Sequence, residues 1–568
     1  MFFSALIGRS RPSRFVRQLT NGLLVFLVCL SLSACGNSVS GGDRAEIDPA
    51  ADTNTGASDG GNNDSSGNDS GAGSDDGGTG DGGSDSGGSD SGGDDSGGGD
   101  SGGDDGGSDS GGDDSGGDNS GGDGSGDNDS GDSGSGDGGT GDSGTADGRK
   151  TYVVDADDPT ASDDNDGITA PFASLQRGLD ILEPGDTLII EPAASPYRDN
   201  DSTAVDGVRG FVLNQSGLLD LPITIVGDFP TPVIDQGKTA ASSDEPVVGL
   251  LLNCVSHVIV RNIEIRQTND AGITTSLSGC TTSDITIERT LIRNVFGNHD
   301  VGGIRLANTR ESQIKENRIH DVYSSSSVTS SPAVANDAVS DIRIEDNVIH
   351  SVDAGVTLRT AGSAMNAVSV RQNEFENVAR ALHLQADANR LGQMQDIEFL
   401  GNLVRTSESV LDSDLDRAGT QSQGVKVFNN TFVDVTGPAL NLNGIALFEN
   451  YNNLFVRPGA DLLVSQRPFS PSIQNSIAYS DNNMVWQGSG PAWTLDLGTL
   501  TAYRFVGLPA WQTALSDFEG GELSINPDQS TIWADPDFVN ETNGDFTPQN
   551  PATLGTGRYG GNIGAFND

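Results

Sequence analysis

A motif of the form apolar-x-apolar-x-x-Asn-x-apolar, returning every 23 to 30 residues, predicts that this chain folds as a single right-handed parallel β-helix. The motif reads DITIERTLIRNV from Asp284, SQIKENRIHDV from Ser312, DIRIEDNVIHSV from Asp341 and AVSVRQNEFENV from Ala367. It continues as DIEFLGNLVRTS from Asp396, GVKVFNNTFVDV from Gly424, LFENYNNLFV from Leu447 and IAYSDNNMVW from Ile477. A second motif interleaves with it: one or two small residues, then apolar-x-apolar, as in GGIRL at Gly302, AGVTL at Ala354, RALHL at Arg380 and PALNL at Pro438. Each repeat therefore holds two or three short strands of period two. No 3.6-residue period or fixed leucine frame is present, which sets aside helical and leucine-rich solenoids.

Two segments precede the repeats. In residues 1–35, Arg9, Arg11, Arg14 and Arg17 stand before the apolar run from Leu23 to Leu32, and Leu32-Ser33-Ala34-Cys35 follows. This is the layout of a secretory signal, with an apolar run too short to span a bilayer comfortably. Residues 36–148 are almost all Gly, Ser, Asp and Asn. They have too few apolar groups to offset chain ordering and read as a disordered acidic tether. Their glycines lack the regular spacing of a calcium β-roll.

Residues 149–568 carry the repeats. Leu175, Leu179 and Leu182 predict a short amphipathic helix that caps the first coil within 149–200, and a second cap is expected over 490–568. Within the coils, Asn317, Asn347, Asn373, Asn402, Asn430, Asn453 and Asn482 fill the Asn slot, with Thr290 in its earliest copy. Asn tolerates a left-handed backbone, so these residues are expected at bends, stacked as a buried amide ladder. Cys254 and Cys280 fall at nearly the same place in successive repeats. Coils about 4.8 Å apart would bring them within reach of a disulfide in an exported protein.

The chain has 82 acidic against 31 basic side chains, which argues against nucleic acid as a partner. Basic and acidic residues come closest to balance across 289–405, the zone where a polyanion would be tolerated best. There His299, Asp300 and Arg305 cluster in FGNHDVGGIRL. Period-two alternation points Arg305, Thr357 and His383 out of the coil, with Arg359 two residues further along the same face. A groove built from them would hold a sugar carboxylate against an arginine and present a histidine as base. His299, Arg305, Arg359 and His383 are thus the catalytic candidates, and Asp300, Thr357 and Asn441 the candidate substrate contacts. No metal site is assigned. DDNDG at 163–167 suits either calcium, the one cofactor candidate, or an Asp/Asn-rich turn.

Several stretches resemble known families. LSAC resembles the bacterial lipobox, which implies Cys35 as a lipidated residue, and Gly36 after it implies the outer membrane. Tyr152-Val153, Asn165-Asp166-Gly167, Pro171-Phe172 and Pro184-Gly185-Asp186-Thr187 resemble the first coil of the pectin-lyase-like right-handed β-helix proteins of bacterial polysaccharide utilisation. LPITIVGDFPTPVIDQG (221–237), AWQTAL from Ala510, ADPDFVNETNGDF from Ala534 and NIGAFND at the C-terminus are similar to theirs as well. The resemblance implies a monomer, held to the membrane only by lipid, that binds extracellular polysaccharide. It implies cleavage by uronate β-elimination or, alternatively, glycan binding without cleavage. Leu358-Arg359 is similar to part of the chondroitinase-B and alginate-lyase signature. Thr360 stands where that family has His, and its Lys-Ser and the aspartate and histidine motifs of polygalacturonases and mannuronan epimerases are missing.

Overall fold

A computed structural model describes residues 148–568 apart from 200–203, 206, 240–244, 277–278, 327–330, 361, 387–391, 416–420, 460, 467–476, 488–490, 497–501, 515–526 and 566–568. The leader, Cys35 and residues 36–147 of the acidic tether lie outside the described residues. The chain winds as a parallel β-solenoid with three strand-bearing faces, fitting the pectin-lyase-like resemblance. The first face is a sheet running from Thr151–Val154 to Ile477–Asp481 through strands such as Ile285–Glu288, Ser340–Glu345 and Gln393–Leu400. The second and third faces belong to one larger sheet. Two 13-residue strands, Val348–Thr360 and Glu374–Ala386, run through the bend between them without a break.

Alternation explains why the strands stack. On the first face, Ile287, Ile314, Ile344, Val370, Phe399 and Val427 lie in one parallel register and are all buried. On the second face, Ile292, Ile319, Ile349, Phe375, Val404, Phe432 and Phe455 do the same. Ile273, Ile304, Val334, Val356, Leu382, Leu411, Leu440 and Leu463 form the matching column on the third. Each inward residue rests on a similar one a coil away, so the core is one continuous apolar column.

The bends between the first and second faces carry the amide ladder. Thr290 N donates to Asn317 Oδ1. In the same way the backbone N of Asn317, Asn347, Asn373, Asn402, Asn430 and Asn453 donates to the side-chain oxygen one coil on, at 2.8–3.0 Å. Each Nδ2 also satisfies a strand carbonyl, such as Ile314 O for Asn347 and Ile344 O for Asn373. Two details differ from the sequence expectation. The left-handed residue is the one before each Asn: Glu316, Asp346, Gln372, Gly401, Asn429 and Asn452 have positive φ. In YSDNNMVW the ladder position is therefore Asn483, whereas Asn482 is the left-handed residue preceding it. The left-handed step is what turns the next side chain inward.

Helix α1, Leu175–Asp180, starts at the Ser174 cap and buries Leu175 and Leu179, with Leu182 just beyond it, on the first coil. Gly178 is needed there, because a Cβ would come within 2.7 Å of Val154 and 2.8 Å of Leu188. At the far end, Ala502–Val506 adds antiparallel to Ala492–Asp496, and helix α2, Leu508–Ala514, stacks Trp511 on Trp493 at 5.8 Å. These elements sit over the two ends of the coil stack, where parallel strands would otherwise invite further pairing. The last residues then return along the side of the coils, where Gly564 N donates to Asn452 O and Ala565 N to Thr431 Oγ1. Cys254 and Cys280 are disulfide-bonded across adjacent coils, with their Cα atoms 5.6 Å apart. No helix among the described residues is long and apolar enough to cross a membrane.

Candidate functional site

The third face brings the sequence-predicted residues into register. Thr274, Arg305, Ala335, Thr357, His383, Asp412 and Asn441 are successive partners in one outward column. Asp337, Arg359, Gln385 and Asp414 form the next column, two residues along. His299 and Asp300 overhang this face from the turn before Arg305's strand. His299 Nε2 lies 3.0 Å from Asp270 Oδ1, and Asp300 Oδ2 accepts from Arg359 Nη1 at 3.0 Å.

These side chains are already occupied with one another. Asp270, 3% exposed, places its Oδ1 between His299 and the Arg305 guanidinium, which donates to it at 2.8 Å. The other nitrogen of His299 faces Asn298 Oδ1 at 3.0 Å. Arg359 donates to Gln385 and Asp300 and lies 3.7 Å from Asp337. Arg359 is thus tied through Nε and Nη1, and Arg305 is held to Asp270 through Nη1.

His383 and Thr357 depart from the expectation of an open strand face. They point out of the coil, yet they are only 5% and 1% exposed. Charged neighbours surround His383: Arg380 in its own strand, Arg359 on the preceding coil and Asp412 on the next. Burial, with help from the Arg380 charge, lowers the His383 pKa to about 4, against the pull of Asp412 and Asp353. The imidazole is thus neutral near pH 7, and its Nδ1 is buried with no hydrogen-bond partner among the described residues.

The open space lies beside this column, at the bend between the second and third faces. Two adjoining depressions of about 540 and 480 Å³ share Asp353 and Arg380 as lining residues and so form one trench. At its centre Arg380 donates to Asp353 Oδ2 at 2.7 Å and approaches Asp412 Oδ2 at 3.6 Å. Asn441 donates to Asp412 Oδ1 at 2.7 Å, and its own Oδ1 has no partner among the described residues. Ser351, Asn377, Ser409 and Thr436 add hydroxyl and amide groups from successive coils. At one end Tyr323, 46% exposed, stacks flat on Phe296 with centroids 5.9 Å apart. Of the sequence-predicted residues, only Asn441 lines this trench.

Asp353, Arg380, Asp412 and Tyr323 were not singled out from the sequence. Asp412 had a usable signal, because it follows His383 in the outward register. Asp353 and Arg380 sit at the bend, where alternation does not assign a direction. The DDNDG turn uses its carboxylates internally: Asp166 Oδ1 accepts from Ile168 N and Thr169 N, and Asp163 accepts from Ser174 N and Oγ. Among the described residues no group of three or more His, Cys, Asp or Glu side chains is placed to hold a metal.

No family model matches the chain, and no curated protein does either. Solved structures similar to it include a lacto-N-biosidase from Eubacterium ramulus, at 14% identity and TM-score 0.44, covering 59% of this chain and 64% of that one. The chain thus spans a little under two thirds of that protein's length. A pectate lyase follows at 15% identity and TM-score 0.41, with 55% and 76% covered. A xylose complex of XylC is similar at 11% identity and TM-score 0.42, with 68% and 87% covered.

Proposed function

We propose that this protein binds an uncharged extracellular polysaccharide along the trench between its second and third faces, displayed at the cell surface by lipid on Cys35. The carrying observation is the continuity of the trench across several coils about 4.8 Å apart. It has an exposed tyrosine at one end and the Asp353–Arg380–Asp412–Asn441 array at its centre. A sugar ring is apolar on its faces and polar around its rim. A flat aromatic ring bordered by hydroxyl, amide and carboxylate groups matches both properties.

Charge selects a neutral polymer over a uronan. Among the described residues, Asp353, Glu408 and Asp412 face the trench against Arg380 alone, and Arg380 is already paired. For the same reason binding is favoured over β-elimination. Arg305 and Arg359 are held by carboxylates, both ring nitrogens of His299 are engaged, and His383 is buried. Hydrolysis is the second reading, favoured by two carboxylates sharing one guanidinium. Against it, both carboxylates are already engaged, Asp353 by Arg380 and Asp412 by Arg380 and Asn441.

The test is affinity electrophoresis of the full chain against dextran, laminarin, galactomannan and arabinoxylan, beside polygalacturonate and alginate. At least one neutral polymer should retard it, with retention weakened about tenfold in Arg380→Ala or Tyr323→Ala. Retention by uronans alone, or an unsaturated uronate product, would overturn the reading. New reducing ends from a neutral polymer, lost in Asp412→Asn, would favour hydrolysis.

A further inference from the structure

The first face carries a second surface with the features of a glycan site, on a side of the solenoid that the trench does not reach. Tyr559 is 86% exposed and sits at the tip of the loop Gly557-Arg558-Tyr559-Gly560-Gly561, closed by Gly557 N donating to Gly561 O at 2.9 Å. Its backbone is left-handed, with φ 62° and ψ 20°, a region that bulky residues avoid. The neighbours hold it there. Arg558 N donates to Asn452 Oδ1 at 2.6 Å, and the Arg558 side chain donates to Glu449 Oε2 at 2.5 Å. The Arg558 guanidinium lies 4.8 Å from the Tyr559 ring centre, 4.7 Å from that of Tyr451 and 3.8 Å from that of Tyr479. One cation thus backs the exposed ring and ties it to two rings of the coil wall.

An outward row connects this ring to an open groove. Gln313, Arg343, Ser369, Glu398, Lys426, Glu449 and Tyr479 are successive register partners along the first face. The first four of them, with Glu311, Asp341 and Asp396, line a depression of about 500 Å³. Glu398 at the groove's end is two coils from Glu449, the carboxylate that holds Arg558, a span of about 10 Å.

The geometry points to a second polysaccharide-binding surface, in which Tyr559 is the stacking platform for one sugar ring and the groove from Gln313 to Glu398 receives other residues of the same polymer. A protein partner would be met by a broader apolar patch. Here one exposed aromatic ring, backed through Arg558 by Tyr451 and Tyr479, stands beside Asn452, Asn482, Glu449 and the Thr556 backbone. That pattern suits a ligand with an apolar face and a hydroxyl rim. The choice of ligand class rests on the polysaccharide reading above, while the site is independent of the trench. Two surfaces on one rigid rod would hold one long polymer, or two polymers, more tightly than either alone.

The test uses the full chain with Tyr559→Ala, Tyr559→Trp, Arg380→Ala and the Tyr559→Ala/Arg380→Ala double variant, in affinity gels of the same four neutral polymers. Tyr559→Ala should keep the parent melting temperature and weaken retention about tenfold, with Tyr559→Trp restoring it. The double variant should fall below either single one. Parental retention in Tyr559→Ala beside a loss in Arg380→Ala overturns this inference and leaves the trench standing. A loss in Tyr559→Ala beside parental retention in Arg380→Ala does the reverse. If none of the four polymers retards the full chain, both fall.

Discussion

Asn373→Ala should destabilise the solenoid by about 3–7 kcal/mol. The Asn373 Nδ2 donates to Ile344 O at 2.9 Å, Arg371 O at 3.0 Å and Asn402 Oδ1 at 3.0 Å. Its Oδ1 accepts from Asn347 N at 3.0 Å and from Asn347 Nδ2 at 2.9 Å. Truncation removes all of these. Some neighbours keep a partner: Asn347 Nδ2 still reaches Ile314 O, and Asn402 Oδ1 still accepts from Asn373 N. The bonds of the Asn347 backbone N–H and of the Ile344 carbonyl to the Asn373 side chain are lost in a dry bend, each worth about 1–3 kcal/mol, and the shared bonds add about 1 kcal/mol. Asn373→Asp is expected to be worse, since it loses both side-chain donors and sets a carboxylate against the Asn402 oxygen. The assay is urea unfolding followed by circular dichroism, with Asn482→Ala as the control. Asn482 stands one residue outside the ladder; because it is left-handed and accepts from the Tyr479 hydroxyl, Asn482→Ala should cost about 1–2 kcal/mol, well below Asn373→Ala. If Asn373→Ala and Asn482→Ala are equally mild, the ladder is not what holds the bends.

Two further outcomes follow from the same coordinates. Replacing Cys254 and Cys280 with serine should lower stability by about 2–3.5 kcal/mol, the loop-closure value for a separation of 26 residues, read as a fall in melting temperature. No fall would mean that the stacked strands already confine this loop. For His383, the unfolded value of 6.5 drops to about 4 in the fold. Between those two values the unfolded chain binds a proton that the folded chain does not, so stability should decline as pH falls from 6.5 towards 4, by on the order of 3 kcal/mol. His383→Gln should remove that part of the slope. An unchanged slope in denaturant midpoints at pH 7 and pH 4.5 would show that the imidazole is not buried neutral.

The coil architecture was legible in the sequence because its determinants are local and repeated. Period-two alternation separates Ile304, Val356 and Leu382 from Arg305, Thr357 and His383 without reference to anything distant. Equal spacing of the copies then implies which residues lie above one another, and Arg305, Thr357, His383 and Asn441 share one column for that reason. What those outward residues touch was not legible. Asp270 captures both His299 and Arg305 from the preceding coil. His383 is buried although alternation points it out of the coil.

The bends were expected at the Asn column, but their register escaped the sequence for a related reason. A left-handed step moves the inward position by one residue, which is how Asn483 rather than Asn482 joins the ladder. It also leaves Asp353 and Arg380 at a corner where no periodicity assigns a direction. The C-terminal return is the most distant case: Arg558 meets Glu449 and Tyr451 across more than a hundred residues. The sequence by itself determined the repeat, the inward columns and their stacking, because burial of alternating apolar side chains dictates them. Only the tertiary structure decided which charges pair, which imidazole is dry and where open space remains, because those depend on side chains that coiling brings together from different turns.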